Sequence, residues 1–212
     1  MNWLTKTVNS SVGKKQFMAV TGLGFCCFLA IHLFGNMFVY LGKDAFNSYV
    51  DHLHALGPLV TISEIGLVIF ALIHICMAAI LFLQNLAARP VGYVVKRNAG
   101  GRTPASATMP YTGLLILIFI IIHMVTFKFA DHSHMTVYEV VETALSNMPV
   151  LVFYILSTVV VAFHVNHGLW SAFQTFGANH PKYMPIIRGF GIVYSLIIGI
   201  GFGFVPVFIV LL

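Results

Sequence analysis

Five long apolar stretches, separated by shorter polar segments, organise the chain. They run approximately over residues 16–41, 60–86, 111–129, 149–173 and 187–211. Each is long enough to cross the hydrocarbon core of a bilayer, for which an α-helix needs about 17–25 residues, or more where it is tilted. The pattern predicts an all-α integral membrane protein, with residues 1–212 forming a single transmembrane domain. No repeat of 20–50 residues and no separate soluble domain is visible. The first stretch is too long for the core of a signal peptide and lacks a small-residue cleavage site, so it reads as a retained span. Between the spans, Val137, Val140, Val141, Ala144 and Leu145 recur at helical spacing, which predicts a short helix at the membrane interface. Residues 44–56 allow another, through Phe46, Val50 and Leu53. The connection 87–110 is rich in Gly, Pro, Arg and Ala and reads as a linker or as a docking surface for a soluble partner.

Composition agrees. The 212 residues are 59% hydrophobic and 8% charged, with a mean hydropathy of +0.93. The net charge of +5 would suit nucleic acid, but its distribution argues against that partner. Lys6, Lys14, Lys15, Arg89, Lys96, Arg97, Arg102, Lys182 and Arg188 fall on one side of the spans, and Lys43 and Lys128 on the other. The six acidic residues, Asp44, Asp51, Glu64, Asp131, Glu139 and Glu142, lie on or near that second side. The Lys/Arg bias places the N-terminus in the cytoplasm and the C-terminus outside. Cys26, Cys27 and Cys76 sit in apolar runs without haem-attachment or zinc spacing and read as packing residues.

Four histidines stand out against this background. His32, His74, His123 and His164 each lie well inside a different apolar stretch. An intramembrane histidine is costly unless something satisfies it, so it marks function by default. Hydrogen bonding to a neighbouring helix could satisfy any one of them. Four on four helices make two pairs, and two pairs of axial imidazoles would hold two haems in a four-helix bundle, with the fifth helix flanking. Such haems carry electrons and leave no open position on iron. By helical rise, His32 lies about 25 Å from the cytoplasmic end and His164 about 22 Å from the outer end, so these two belong to different layers. Depth does not decide the pairing of His74 and His123. His167 is a rival for the inner ligand, or a polar neighbour of a propionate or quinone. Gly35 and Gly168, close after His32 and His164, would let a flat macrocycle approach the backbone.

Short motifs run nearly the length of the chain in a specific order: S-S-V-G-K-K at 10–15, H-L-F-G-N at 32–36, F-N-x-Y with L-G-P at 46–58, E-I-G-L at 64–67, H-I at 74–75, A-R-P-x-G-Y at 88–93 and F-H-x-x-x-G-L-W at 163–170. The chain thereby resembles the two-haem, five-helix membrane-anchor cytochrome b of succinate:quinone oxidoreductases. The resemblance implies two haem b groups, with His32 and His123 on the outer one and His74 and His164 on the inner one. It favours His164 over His167. It implies a flavoprotein subunit for the succinate–fumarate chemistry, an iron–sulfur subunit on the cytoplasmic face, menaquinone as the quinone, and a bacterial cytoplasmic membrane. It is compatible with a dimer of the complex. One departure stands out: where some members carry a glutamate two residues before the inner ligand, this chain has Ala162. A proton pathway built on that glutamate is not expected, so quinol oxidation with proton release outside would be electrogenic.

Quinol oxidation releases two protons with its two electrons, so a base near the ring is expected. Glu64 is the candidate, although Thr61-Ile62-Ser63-Glu64 also reads as a capping box at a helix start. His52 and His54 are candidate relays in the outer loop. Lys14 and Lys15 would serve haem propionates, the iron–sulfur partner or simple interfacial anchoring. Gly199-x-x-x-Gly203 reads as close helix packing. Two other readings stand beside the resemblance: the cytochrome b anchor of a hydrogenase or formate dehydrogenase, and a non-haem transporter or scaffold.

Overall fold

A computed structural model describes residues 2–88, 103–131 and 133–211. Arg89, Lys96, Arg97, Arg102 and nearly all of the A-R-P-x-G-Y motif lie outside the described residues. The described chain is helical and without strands: α1 (Trp3–Asn9), α2 (Ser11–Asn36), α3 (Lys43–Ala55), α4 (Pro58–Ala87), α5 (Pro104–His123), α6 (Val137–Leu145), α7 (Met148–Thr175) and α8 (Met184–Leu211). Five of these are long and apolar enough to cross a membrane, and they match the five predicted stretches. Their flanks carry helix-start chemistry. Ser10 Oγ accepts from the Gly13 amide at 3.0 Å, Thr103 and Ser106 form a reciprocal capping box, and Asn147 caps α7. Ile31, Ile62, Leu72, Ile120 and Ile200 stay exposed because a bilayer, not water, faces them.

α2, α4, α5 and α7 form a four-helix bundle, and α8 packs along the outside of α7 and α2. Lipid tails are as apolar as leucine, so such helices associate through close packing and hydrogen bonds instead of hydrophobic burial. Small residues make that packing possible. A Cβ on Gly199 would come within 2.8 Å of Ala162, and one on Gly201 within 2.7 Å of Leu33. Gly203 faces the Thr158 hydroxyl, as the Gly199-x-x-x-Gly203 reading expects. The Tyr194 hydroxyl donates to the Cys26 carbonyl, fastening α8 to α2. α4 and α5 touch only sparsely, which leaves a seam on one side of the bundle.

The two ends differ. At the acidic end, α2 tightens into a 3₁₀ turn (Met37–Leu41), and Gly42 at φ 93° turns the chain into α3. α3 and α6 fold across this end, where Val39, Phe46, Tyr138, Leu145 and Ile209 form a buried cluster. Both predicted interfacial helices are present, but Leu53 points away from the cluster and is 38% exposed. Glu139 closes a capping box with Thr136 and pairs with Lys43 at 2.7 Å. These contacts hold its carboxyl down at about 2 from an ordinary 4.5, with the Lys43 hydrogen bond as the largest cause. The capping box expected at Thr61–Glu64 is absent. α4 begins at Pro58, so Thr61 is already helical, and the Ser63 hydroxyl bonds back to the Leu59 carbonyl. Glu64 instead pairs with Lys128 across the α4–α5 seam. Both lysines of the acidic end are therefore held by carboxylates.

At the opposite, basic end, Lys14 Nζ reaches Gln84 Oε1 at 3.4 Å and links α2 to α4. The Arg188 guanidinium lies 4.8 Å from the Trp170 ring centre. Lys15 is exposed.

Candidate functional site

The four histidines meet in two layers. Near the acidic end, His32 of α2 and His123 of α5 have ring centroids 5.9 Å apart and planes at 85°. Phe28 stacks on His32 at 5.2 Å, and Phe202 lies 5.5 Å away. Phe119, Phe127 and Tyr154 surround His123. This cage is aromatic, and the buried Nδ1 of His123 has no hydrogen-bond partner among the described residues.

Toward the basic end, His74 of α4 and His164 of α7 lie close enough to interact electrostatically. Each stands sixteen residues after the first residue of its helix, Pro58 or Met148, which sets them at similar depth. Their surroundings are polar. His74 Nδ1 is 3.0 Å from the Thr21 hydroxyl and 3.1 Å from the Met18 carbonyl. His164 Nδ1 is 3.0 Å from the Thr112 hydroxyl. A glycine follows each threonine: a Cβ on Gly22 would stand 3.3 Å from His74 Cε1, and one on Gly113 would stand 3.6 Å from His164 Cε1.

Sequence reasoning did not single out Thr21, Gly22, Thr112 or Gly113. They belong to a duplicated pattern. Thr21-Gly22-Leu23, Phe28 and Ile31-His32 on α2 return at identical spacing as Thr112-Gly113-Leu114, Phe119 and Ile122-His123 on α5. Eleven residues are three helical turns to within about 20°, so each threonine and its histidine share a face, about 16 Å apart along the axis. Each of these two helices thus gives a histidine to one layer and a hydroxyl to the other. The copies diverge just past the histidine, where α2 tightens into its 3₁₀ turn and α5 loosens into a π turn (Met124–Lys128).

The space at Gly35 is taken by the Tyr49 ring, whose hydroxyl would stand 2.6 Å from an added Cβ, so this glycine serves α3 and not a macrocycle. Gly168 faces open space. His167 is buried, its Nδ1 lacks a partner among the described residues, and its ring meets Trp170 edge-on at 4.6 Å. It lies beside His164 without the hydroxyl partner that His164 has. His52 and His54 are exposed on α3, with His52 Nδ1 2.6 Å from the Ser48 carbonyl. Position 162 is a packing contact between α7 and α8.

Among the described residues, no three His, Cys, Asp or Glu side chains converge as they would around a bare metal ion. Two imidazoles leave most of a metal's coordination to be supplied by something else, as a macrocycle does.

The chain is 28% identical over 155 residues to the succinate dehydrogenase cytochrome b558 subunit of Bacillus subtilis (strain 168), an alignment covering 71% of this chain and 72% of that one. No family model matches the chain, and no solved structure matches it significantly. The chain resembles the membrane anchor of succinate:quinone oxidoreductases, as its motifs imply, and with five spanning helices it is a multi-pass membrane protein.

Proposed function

We propose that this chain is the diheme cytochrome b subunit that anchors a succinate dehydrogenase or fumarate reductase in the membrane and exchanges electrons with a quinone. The observation that carries the reading is the convergence of four intramembrane histidines into two pairs on four helices. The residues fit haem. Two imidazoles that shared one metal would have ring centroids about 6 Å apart, from bonds of about 2 Å and about 1 Å more to each ring centre. His32 and His123 stand at 5.9 Å. The unpartnered Nδ1 of His123 and the glycines against His74 and His164 fit as well. In this reading His32 and His123 would hold the haem of the acidic-end layer, and His74 and His164 the haem of the basic-end layer. Haem bound there supplies one-electron transfer and, being saturated by two imidazoles, no substrate chemistry.

The protein's own contribution is positional and electrostatic. Packed helices fix both pairs, and aromatic side chains keep water from the acidic-end pair. The quinone acts near the acidic end, with menaquinone the preferred class. Glu64 stands at the rim of the α4–α5 seam as the proton acceptor for quinol oxidation, and Lys128 holds its carboxylate there. The basic end, facing the cytoplasm, docks an iron–sulfur subunit that connects to a flavoprotein carrying the dicarboxylate chemistry. The likeness to a succinate dehydrogenase subunit favours this assembly over a hydrogenase or formate dehydrogenase anchor. Pyridine-haemochrome quantification of the chain purified from its native membrane tests the reading. Two b-type haems per chain are expected. A colourless protein would overturn the reading in favour of a transporter or scaffold.

A further inference from the structure

The threonines of the duplicated pattern have a role of their own at the basic-end layer. The Thr21 hydroxyl lies 2.8 Å from the Phe17 carbonyl and 3.1 Å from the Met18 carbonyl, and a carbonyl can only accept. Its single hydrogen is therefore spent along its own helix, and its oxygen is left to accept from His74 Nδ1. The Met18 carbonyl, 3.1 Å from the same nitrogen, can likewise only accept. The proton on His74 is thus on Nδ1. The Thr112 hydroxyl is committed in the same way, 3.2 Å from the Thr108 carbonyl and 3.1 Å from the Met109 carbonyl, so it accepts from His164 Nδ1. Both rings then turn an unprotonated Nε2 away from the threonine. A Cβ on Gly22 would crowd the His74 ring at 3.3 Å, whereas one on Gly113 would make ordinary contact with the His164 ring at 3.6 Å.

We infer that Thr21 and Thr112 are positioning residues that fix the tautomer and orientation of His74 and His164 as ligands and tune the haem of the basic-end layer. The inference rests on the proposed diheme reading. A hydrogen bond donated by the far nitrogen of a ligating imidazole raises its basicity and stabilises the oxidised metal. Removing it shifts the potential of that haem upward. The two threonines are not equal. His74 Nδ1 retains the Met18 carbonyl as a second acceptor, whereas His164 Nδ1 has Thr112 alone among the described residues. Thr112→Val therefore has the larger effect, Thr21→Val a smaller one, and Thr112→Ser, which keeps the oxygen, none.

The test is a spectroelectrochemical titration of the full-length chain from its native membrane, wild type beside the three variants. Expected are two resolved haem transitions, of which one moves to more positive potential in T112V, moves less in T21V and returns in T112S. An unmoved pair of transitions in T112V, equal movement of both, or a T112S as shifted as T112V would overturn the inference while leaving the diheme reading intact. If T112V loses one haem altogether, T112S decides: retention supports the inference and loss overturns it. A wild-type chain without haem sinks both.

Discussion

The two histidine layers share α2 and α5 but solve the same problem differently. In the basic-end layer, threonine hydroxyls engage the ring nitrogens that face the protein, and Gly22 gives the His74 ring its close approach. In the acidic-end layer, phenylalanines and a tyrosine hold the rings by shape, and His123 Nδ1 has no partner among the described residues. One layer is oriented by hydrogen bonds and the other by packing. A hydrogen bond between helices in a membrane contributes about 0.6–2 kcal/mol, so neither device dominates stability. What differs is the electronic setting offered to a ligand. The surroundings differ as well: the acidic end is closed by α3 and α6 and carries Glu64, while no carboxylate stands at the basic end among the described residues.

The strongest way to break this comparison is to remove one pair. His123→Ala should lower the haem content from two per chain to one and abolish one redox transition, with the survivor unchanged. His164→Ala should leave the complementary transition. Loss of both haems from either variant would show that the layers do not form independently. A second, smaller effect is expected at the seam. Glu64→Gln should slow quinol-driven haem reduction by about 100-fold, the scale of a lost general base, with both haems retained. Unchanged stopped-flow reduction rates would remove Glu64 from the proton path. The smallest effect concerns the cap. The Glu139 carboxyl is held at about 2, below its ordinary 4.5, so its contribution to stability is present above that ordinary value and fades as pH falls from 4.5 toward 2. Thermal midpoints in detergent should show this acid-side loss in the wild type and not in Glu139→Gln. Because the Lys43–Glu139 pair is exposed, the difference should be slight and should vanish at high salt.

Much of this architecture was legible in the residues because bilayer physics is strict. Hydrocarbon thickness fixes span length, so the five apolar stretches agree with the helices to within a few residues, apart from the start of α2, which Ser10 caps ahead of the apolar run, and the start of α5. That helix begins at Pro104 because Thr103 and Ser106 cap it ahead of the apolar run. The four histidines were visible by their depth, but their contacts were not, since boundary error exceeds the separation that would assign His74 and His123. Local patterns misled where tertiary neighbours decide. Gly35 looks like a site of backbone approach near His32, yet Tyr49, brought by α3, fills it. Glu64 looks like a cap, yet Pro58 starts the helix earlier and Lys128 arrives from α5. The duplicated Thr-Gly-Leu pattern was in plain view, but its copies lie 91 residues apart, beyond the short periods that mark solenoid repeats.

That eleven-residue interval behaves as a ruler with two scales. Because it spans a near-integral number of turns, one length of helix fixes both how far apart the layers lie and how they are rotated relative to each other. A single residue inserted between Gly22 and His32, or between Gly113 and His123, would lengthen the step by only about 1.5 Å but swing the histidine by about 100°. The interior of these two spans can therefore accept many exchanges of one apolar residue for another and almost no change in their number.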